Sequence, residues 1–422
     1  MLFLIAVGRF RIELIALGGL LVLGIAGVAP PDIVFSGFGH PALATIIAVF
    51  LVSQSIINSG LMRGFGQALA RRLHSLRGQV LSISASAALL SAFMNNVGAV
   101  GLMLPTIVRM ADRFGCRPGS FGMPLAMASI LGGTLTLIGS APNIIIASYM
   151  LSDGERSFKM FDFAPHGLAM LFVALLLWLI CKSCGMDPGA GAFDAGLVTT
   201  AAPKEPEHPQ IEREHPVIDE TIPFAPLATP VRRITFAAIL VAVLTVSFGL
   251  LHPALGFGGA ALLLILSGVL KLPAAFESVD LQVVFFLGAM LSMGSILDYT
   301  GGLELLSAFL ARFAAGFSPF WLIVLLVFVA SVLSNAINNA AAAVFMAPLA
   351  VGLAAGNNLE TAAALMAVAA GANMTLLLPT HQAVLMVMSK APFSTASFIK
   401  AGLVLSVCCG LAAAVVIALV WQ

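Results

Sequence analysis

Charge is scarce in this chain of 422 residues: Asp, Glu, Lys and Arg make up 9% of it, against 60% hydrophobic residues. Soluble domains carry about 25% charged residues, so a water-soluble globule is excluded. The mean hydropathy of +1.06 points instead to a polytopic membrane protein. An excess of either sign is also missing, since 20 basic residues face 19 acidic ones, and this leaves no basic face for nucleic acid. Cysteine is sparse: Cys116, Cys181, Cys184, Cys408 and Cys409 are scattered and form no pairing framework. The Cys181/Cys184 spacing is half of a redox or zinc motif, and with no second pair it reads as incidental. The opening MLFLIAVGRF has too short an apolar stretch, and no small-residue cleavage site after it, for a signal peptide. The apolar runs are continuous rather than alternating, which excludes a β-barrel. Glycine (40) and proline (22) are plentiful. Plain bundle helices do not need so many, whereas spans that break in mid-membrane do.

Apolar segments of crossing length fall at about 12–28, 42–60, 119–151, 165–184, 233–252, 281–300, 359–389 and 398–420, with a shorter one at 256–270. Two further stretches, 78–110 and 319–350, are too long for one span and have a polar centre. Both read as re-entrant helical hairpins. Charge tests this. Arg63, Arg71, Arg72 and Arg77 precede 78–110, and Arg109, Arg113 and Arg117 follow it. A hairpin that enters and leaves on the cytoplasmic side keeps all of them inside. With nine crossings, only Arg156, Lys159 and Arg312 of the 20 basic residues fall outside, as the positive-inside rule requires. This layout puts the N-terminus inside, the C-terminus outside, and the chain in the cytoplasmic membrane.

The chain also repeats itself. SAFMNNVGAVGLMLP at 91–105 matches SNAINNAAAAVFMAP at 334–348, and MASILGGTLTLIGSAPN at 127–143 matches MAVAAGANMTLLLPTHQ at 366–382. A period of about 240 residues without a shorter one excludes a solenoid. The first hairpin enters from inside and the second from outside, so the expected fold is an all-α inverted repeat with two hairpins and two broken helices. Such repeats bind substrate near the midplane and work by alternating access. The first repeat is expected over 1–184 and the second over 233–422; residues 1–10 align with about 242–251, half of an opening helix. Between them, 185–232 is rich in acidic residues and proline and reads as a cytoplasmic linker. His208 and His215 in it belong to a solvated charged segment rather than a metal site.

Backbone breaks at membrane depth need a protein-lined or watery cavity. Four are predicted: the tips at 91–96 and 334–339, and the interruptions at 139–143 and 378–382. Half-helix N-termini there offer free N–H groups and partial positive charge to an anion. Freed carbonyls with Asn and Ser oxygens suit a hard cation such as sodium. Neither tip and neither break holds Asp, Glu, Lys or Arg, so a charged substrate must be held by dipoles and a co-bound ion. Helix–helix hydrogen bonding explains one asparagine pair. Two pairs, Asn95/Asn96 and Asn338/Asn339, at matching places and each ending nine residues before a proline, favour a binding site. His381 is the one ionisable residue in the breaks; it donates to substrate, senses protons, or is a satisfied structural histidine. An intramembrane hydrolase built on Ser140 and His381 lacks the Gly-x-Ser context such nucleophiles need, so no enzyme is expected. The Ala run at 340–343 reads as a close-packing surface.

At these residues the chain resembles the divalent anion/sodium symporter family of the ion transporter superfamily. The paired hairpin motifs and GGTLTLIGSAPN carry the resemblance, and LLLPTHQAVLMVMSKAPFSTASFIKAG is similar to the sulfate-permease-like branch. The resemblance implies a homodimeric elevator carrier in the lipid bilayer, with one sodium at each tip and substrate between them. It places one sodium at Ser91, Asn95, Asn96 and Gly139, and a second at Ser334, Asn338, Asn339 and Leu378. Substrate would meet Asn95, Asn96, Ser140, Pro142 and Asn143 from the first copy, and Asn338, Asn339, Thr380, His381 and Gln382 from the second. Both tips depart from the family's Ser-Asn-Thr: they read Asn95-Asn96-Val97 and Asn338-Asn339-Ala340 and lack the threonines that meet substrate carboxylates. Thr380-His381-Gln382 replaces a Thr-Pro-Pro-Asn pattern, and the regulatory domains often inserted between the halves give way to the linker alone. The expected function is secondary transport of a small anion, dicarboxylate or sulfate-like, by sodium-coupled symport. The alternative is an exchanger or oxyanion efflux permease with protons moving through His381. A channel remains the competing reading outside carriers.

Overall fold

The computed structural model describes residues 11–60, 75–152, 158–180, 229–314, 316–355 and 357–422. Among these the regular structure is helical. In the first half the order is α1 (Ile12–Ile25), α2 (Pro31–Val34), a 3-10 turn (Ser36–Gly39), α3 (Pro41–Ser59), α4 (Leu76–Ser91), α5 (Asn96–Phe114), α6 (Gly119–Gly132), α7 (Ala141–Ser152) and α8 (Ala164–Ile180). The second half runs α9 (Thr229–Ser247), α10 (Pro253–Leu266), α11 (Leu272–Ser278), α12 (Leu281–Tyr299), α13 (Gly302–Phe313), α14 (Pro319–Ala336), α15 (Asn339–Ala354), α16 (Thr361–Ala372), α17 (Gln382–Lys390) and α18 (Thr395–Trp421). From α1 to α8 and from α10 to α18 the order of elements repeats. The extra helix α13 has its sequence counterpart in 61–74, outside the described residues.

Both hairpins are present. Their arms are α4/α5 and α14/α15, turning at 92–95 and 337–338. Both interruptions are present too, at 133–140 between α6 and α7 and at 373–381 between α16 and α17. Among the described residues four helices, α3, α12, α14 and α18, are long and apolar enough to cross a membrane alone. The helices on either side of the interruptions are short because a break divides them: a 14-residue helix such as α6 spans about 21 Å, short of a hydrocarbon core of about 30 Å. The expected linker lies outside the described residues up to 228, and 229–232 form the first turn of α9 rather than linker. The 1–10 alignment and the Cys181/Cys184 pair also lie outside them. Helix α13 was not legible as an element. Its Leu305 and Phe309 are exposed beside Glu304 and Arg312, the pattern of a helix lying at a membrane interface.

The helix starts follow from local chemistry. His40, Ser75, Asn95, His252, Asp280, Asn338, His381 and Ser394 each accept a backbone N–H of the first turn, satisfying donors that lipid cannot. Gly60 and Gly115 end α3 and α5 with φ of 61°, where a Cβ would be strained.

Packing sorts the helices into two groups. In one, α1 packs on α12, and α3 on α9 and α10. In the other, each hairpin's first arm packs on its own broken helix (α4 on α6, α14 on α16), and its second arm on the other repeat's half-helix (α5 on α17, α15 on α7), while α8 packs on α18. Small residues permit this. Gly132 of α6 and Gly371 of α16 occupy matching positions, and a Cβ on either would collide with a backbone carbonyl of the first arm, Ala88 or Val327. Helices α3 and α12 touch the second group at α7 and α15.

Candidate functional site

The first tip is held from three sides. Asn95 caps α5, its Oδ1 accepting the Val97 N–H at 3.3 Å, while its own N–H donates to Ser53 Oγ of α3 at 3.3 Å. Asn96 is 5% exposed; its Oδ1 accepts from Ser91 Oγ at 2.6 Å and its carbonyl from Ser129 Oγ at 3.0 Å. Thr136, in the break, donates to the Ala92 carbonyl and accepts the Gly139 N–H at 3.1 Å. One threonine therefore ties the broken helix to the hairpin tip. Two glycines complete the junction. A Cβ on Gly139 would sit 2.7 Å from the Gly133 carbonyl oxygen and 3.1 Å from those of Ala92 and Ser91. One on Gly133 would sit 2.8 Å from Asn96 Oδ1 and 3.2 Å from the Gly139 oxygen. Five oxygens thus gather around space that only glycine leaves open, and an all-oxygen set of this kind suits a hard cation.

The second tip is built differently. Asn338 Oδ1 caps α15 through the Ala341 N–H at 3.0 Å, and Asn339 Oδ1 accepts the Ala340 N–H at 3.0 Å. Ser334 Oγ donates to the Ala372 carbonyl at 2.5 Å. The clamp on this break is Asn335: its Nδ2 donates to the Ser331 and Met374 carbonyls at 2.8 and 3.1 Å, and its Oδ1 accepts the Leu377 and Leu378 N–H groups at 2.9 and 3.0 Å. Ala372 and Leu378 stand where the first copy has Gly133 and Gly139.

The two breaks are joined directly. Asn373 Nδ2 donates to Asn143 Oδ1 at 2.7 Å and to the Ala369 carbonyl at 2.9 Å, and its Oδ1 accepts from Ser140 Oγ. Asn143 Nδ2 in turn donates to the Thr136 and Gly133 carbonyls at 2.7 and 3.1 Å.

Both tips and both breaks open on one cavity of about 280 Å³. Of the residues expected from sequence, Asn95, Asn96, Gly139, Ser140, Ser334, Asn338, Asn339, Thr380, His381 and Gln382 line it. Ser91, Pro142, Asn143 and Leu378 do not. Ser91 is fully buried behind Asn96, and Asn143 is fully buried with its amide spent on the break-to-break link. Leu378 contributes a backbone N–H to Asn335 instead. His381 Nδ1 accepts the Ala383 N–H at 3.1 Å as the cap of α17, so a proton on that nitrogen would cost the cap.

Three polar lining residues lie outside the sequence expectation: Ser53 from α3, Thr375 from the second break and Asp280 at the start of α12. Ser53 and Asp280 come from spans with no motif, so only packing reveals them. Thr375 had a usable signal, because it matches Thr136 in the repeat. Among the described residues, Asp280 is the one Asp, Glu, Lys or Arg on the cavity wall.

Comparison with known proteins agrees with this fold. The Alcanivorax borkumensis YdaH transporter has a similar fold, with a TM-score of 0.61 at 14% identity, covering 94% of this chain and 87% of that one. The Escherichia coli uncharacterized transporter YfbS is 29% identical over 180 residues, 42% of this chain and 30% of its own. In Chlamydomonas reinhardtii, probable sodium/sulfate cotransporter 3 is 30% identical over 186 residues (42% of this chain, 21% of its own) and sodium/sulfate cotransporter 1 is 30% identical over 152 (34% and 17%). The chain thus spans under a third of the length of the Escherichia coli and Chlamydomonas relatives. Residues 2–372 match the family described as "Citrate transporter", so this multi-pass membrane protein belongs to the citrate transporter family.

Proposed function

We propose that this protein carries a small oxyanion, dicarboxylate, tricarboxylate or sulfate-like, across the cytoplasmic membrane together with sodium. The cavity at the meeting of both tips and both breaks carries the reading. Among the described residues its only formal charge from Asp, Glu, Lys or Arg is the Asp280 carboxylate, which repels an anion, and no Lys or Arg among them offsets it. A co-bound cation supplies the missing attraction. The five oxygens around Gly133 and Gly139 fit such an ion: each carbonyl keeps a second lone pair after its hydrogen bond. The first-copy set Ser91, Asn95, Asn96 and Gly139 would hold it largely through backbone oxygens and Asn96 Oδ1. The second set, Ser334, Asn338, Asn339 and Leu378, is proposed as a weaker site, because Ala372 and Leu378 replace the glycines.

Cation binding would order the first tip and raise anion affinity, and the loaded group of hairpins and broken helices would then move against the α1, α3, α9, α10 and α12 group. This elevator motion, the inverted orientation of the two repeats, a homodimer formed through apolar faces, and an inside N-terminus with an outside C-terminus belong to the same proposal. An exchanger or efflux permease driven by protons through His381 is the second reading, and the capping role of its Nδ1 weighs against it. The test is uptake of labelled citrate, sulfate and succinate into proteoliposomes under inward sodium or potassium gradients. Saturable, sodium-dependent accumulation of any of them supports the proposal. Accumulation under a proton gradient alone, indifferent to sodium, contradicts it.

A further inference from the structure

We infer that the Thr375 hydroxyl is a direct ligand of the transported anion, a specificity-determining contact supplied by the second repeat alone. The inference rests on the anion-carrier reading above and adds to it the group that reads the substrate's oxygens.

Thr375 lies in the second break, lines the cavity, and is 2% exposed. Its Oγ1 is buried and has no hydrogen-bond partner. Buried hydroxyls are almost always satisfied, so an orphan on the wall of a binding cavity marks where a ligand completes the set. The repeat supplies a control within the same molecule. Thr136 occupies the matching position in the first copy, and its hydroxyl is spent on the Ala92 carbonyl and the Gly139 N–H. In the second copy Asn335 stands where the first has Ala92. Its amide makes the tip-to-break tie through Met374, Leu377 and Leu378. Ser331 Oγ adds a second bond to the Met374 carbonyl at 3.0 Å. With the backbone on both sides of Thr375 clamped, its hydroxyl is released from structural duty and held still. A fixed neutral donor of this kind suits a carboxylate or sulfate oxygen, which only accepts hydrogen bonds. The substitution of asparagine for Thr136's structural role thus turns one of two equivalent threonines into a substrate contact.

The test compares Thr375→Val, which keeps the shape and removes the hydroxyl, with Thr375→Ser, which keeps the hydroxyl. The probes are citrate, sulfate and succinate in the proteoliposome assay, with thermal unfolding of the purified protein alongside. Thr375→Val is expected to raise the half-saturating anion concentration by roughly ten- to a hundredfold, the loss of one hydrogen bond to a charged group. Its half-saturating sodium concentration, read at saturating anion, should stay unchanged and its melting temperature equal or exceed that of the wild type, while Thr375→Ser stays near wild type. A structural hydroxyl would instead lower the melting temperature. Wild-type anion affinity in Thr375→Val, or a loss confined to stability, overturns the inference and leaves the carrier reading standing. Failure of the wild type to take up all three anions under either cation overturns both.

Discussion

Asn143 of the first break and Asn373 of the second are joined by a hydrogen bond of 2.7 Å, Nδ2 of Asn373 donating to Oδ1 of Asn143. Both side chains are buried, at 0% and 2% exposure, and 230 residues separate them in sequence. Through this bond the two interruptions form one crosspiece rather than two independent breaks.

Asn373→Ala removes the donor to Asn143 and the acceptor of Ser140 at once. Leaving buried polar groups unsatisfied costs about 1–3 kcal/mol each. The melting temperature in detergent is expected to fall by several degrees and transport to be lost. An unchanged melting curve would dissolve the crosspiece.

Gly139→Ala probes the oxygen cradle. Its Cβ would sit 2.7 Å from the Gly133 oxygen and 3.1 Å from two more, filling the space assigned to a cation. Half-saturating sodium is expected to rise at least tenfold, with the protein still inserted. Uptake measured against sodium concentration decides it, and a wild-type curve would remove the cation from this junction.

Asp280→Asn keeps an N-cap side chain for α12, whose first turn donates to Asp280 at 3.0 Å, while erasing the carboxylate on the cavity wall. Asn caps as well as Asp, so folding is expected to be intact. Loss of the negative charge should lower half-saturating anion and raise half-saturating cation concentration. Movement of both constants in the same direction would show that the carboxylate acts otherwise.

His381→Asn separates sodium from proton coupling. Asparagine preserves the α17 cap now made by Nδ1 and abolishes titration. Sodium-driven uptake is expected to persist with an unchanged dependence on pH. Loss of uptake together with loss of pH dependence would establish the histidine as a proton carrier.

Much of this was legible in sequence because it is written twice. The Asn95/Asn96 and Asn338/Asn339 pairs, each ending nine residues before Pro105 or Pro348, located both tips, and the polar centres of overlong apolar runs separated hairpins from spans. The contributions of α3 and α12 were not legible. Ser53 and Asp280 sit in spans with no repeat motif and reach the cavity only through packing between the two helix groups. The absence of charge from the tips and breaks was right, but it did not extend to the cavity wall, which borrows its carboxylate from a helix elsewhere in the chain. Asn143 was assigned to substrate from its place in a motif. Its amide turns inward because the glycine-lined break exposes the Gly133 and Thr136 carbonyls one turn below it. Asn335 and Asn373 escaped notice because their first-copy counterparts are Ala92 and Thr134, so a search for matching pairs passes over them.

The central claim is that both tips serve one coupled site. The most direct measurement is calorimetric binding of citrate and sulfate to the purified protein in sodium and in potassium, for wild type, Asn96→Ala and Asn339→Ala. The account predicts sodium-dependent binding of at least one anion to wild type, abolished by either substitution in protein that remains folded. Binding that survives both substitutions, or that is indifferent to sodium, would contradict it.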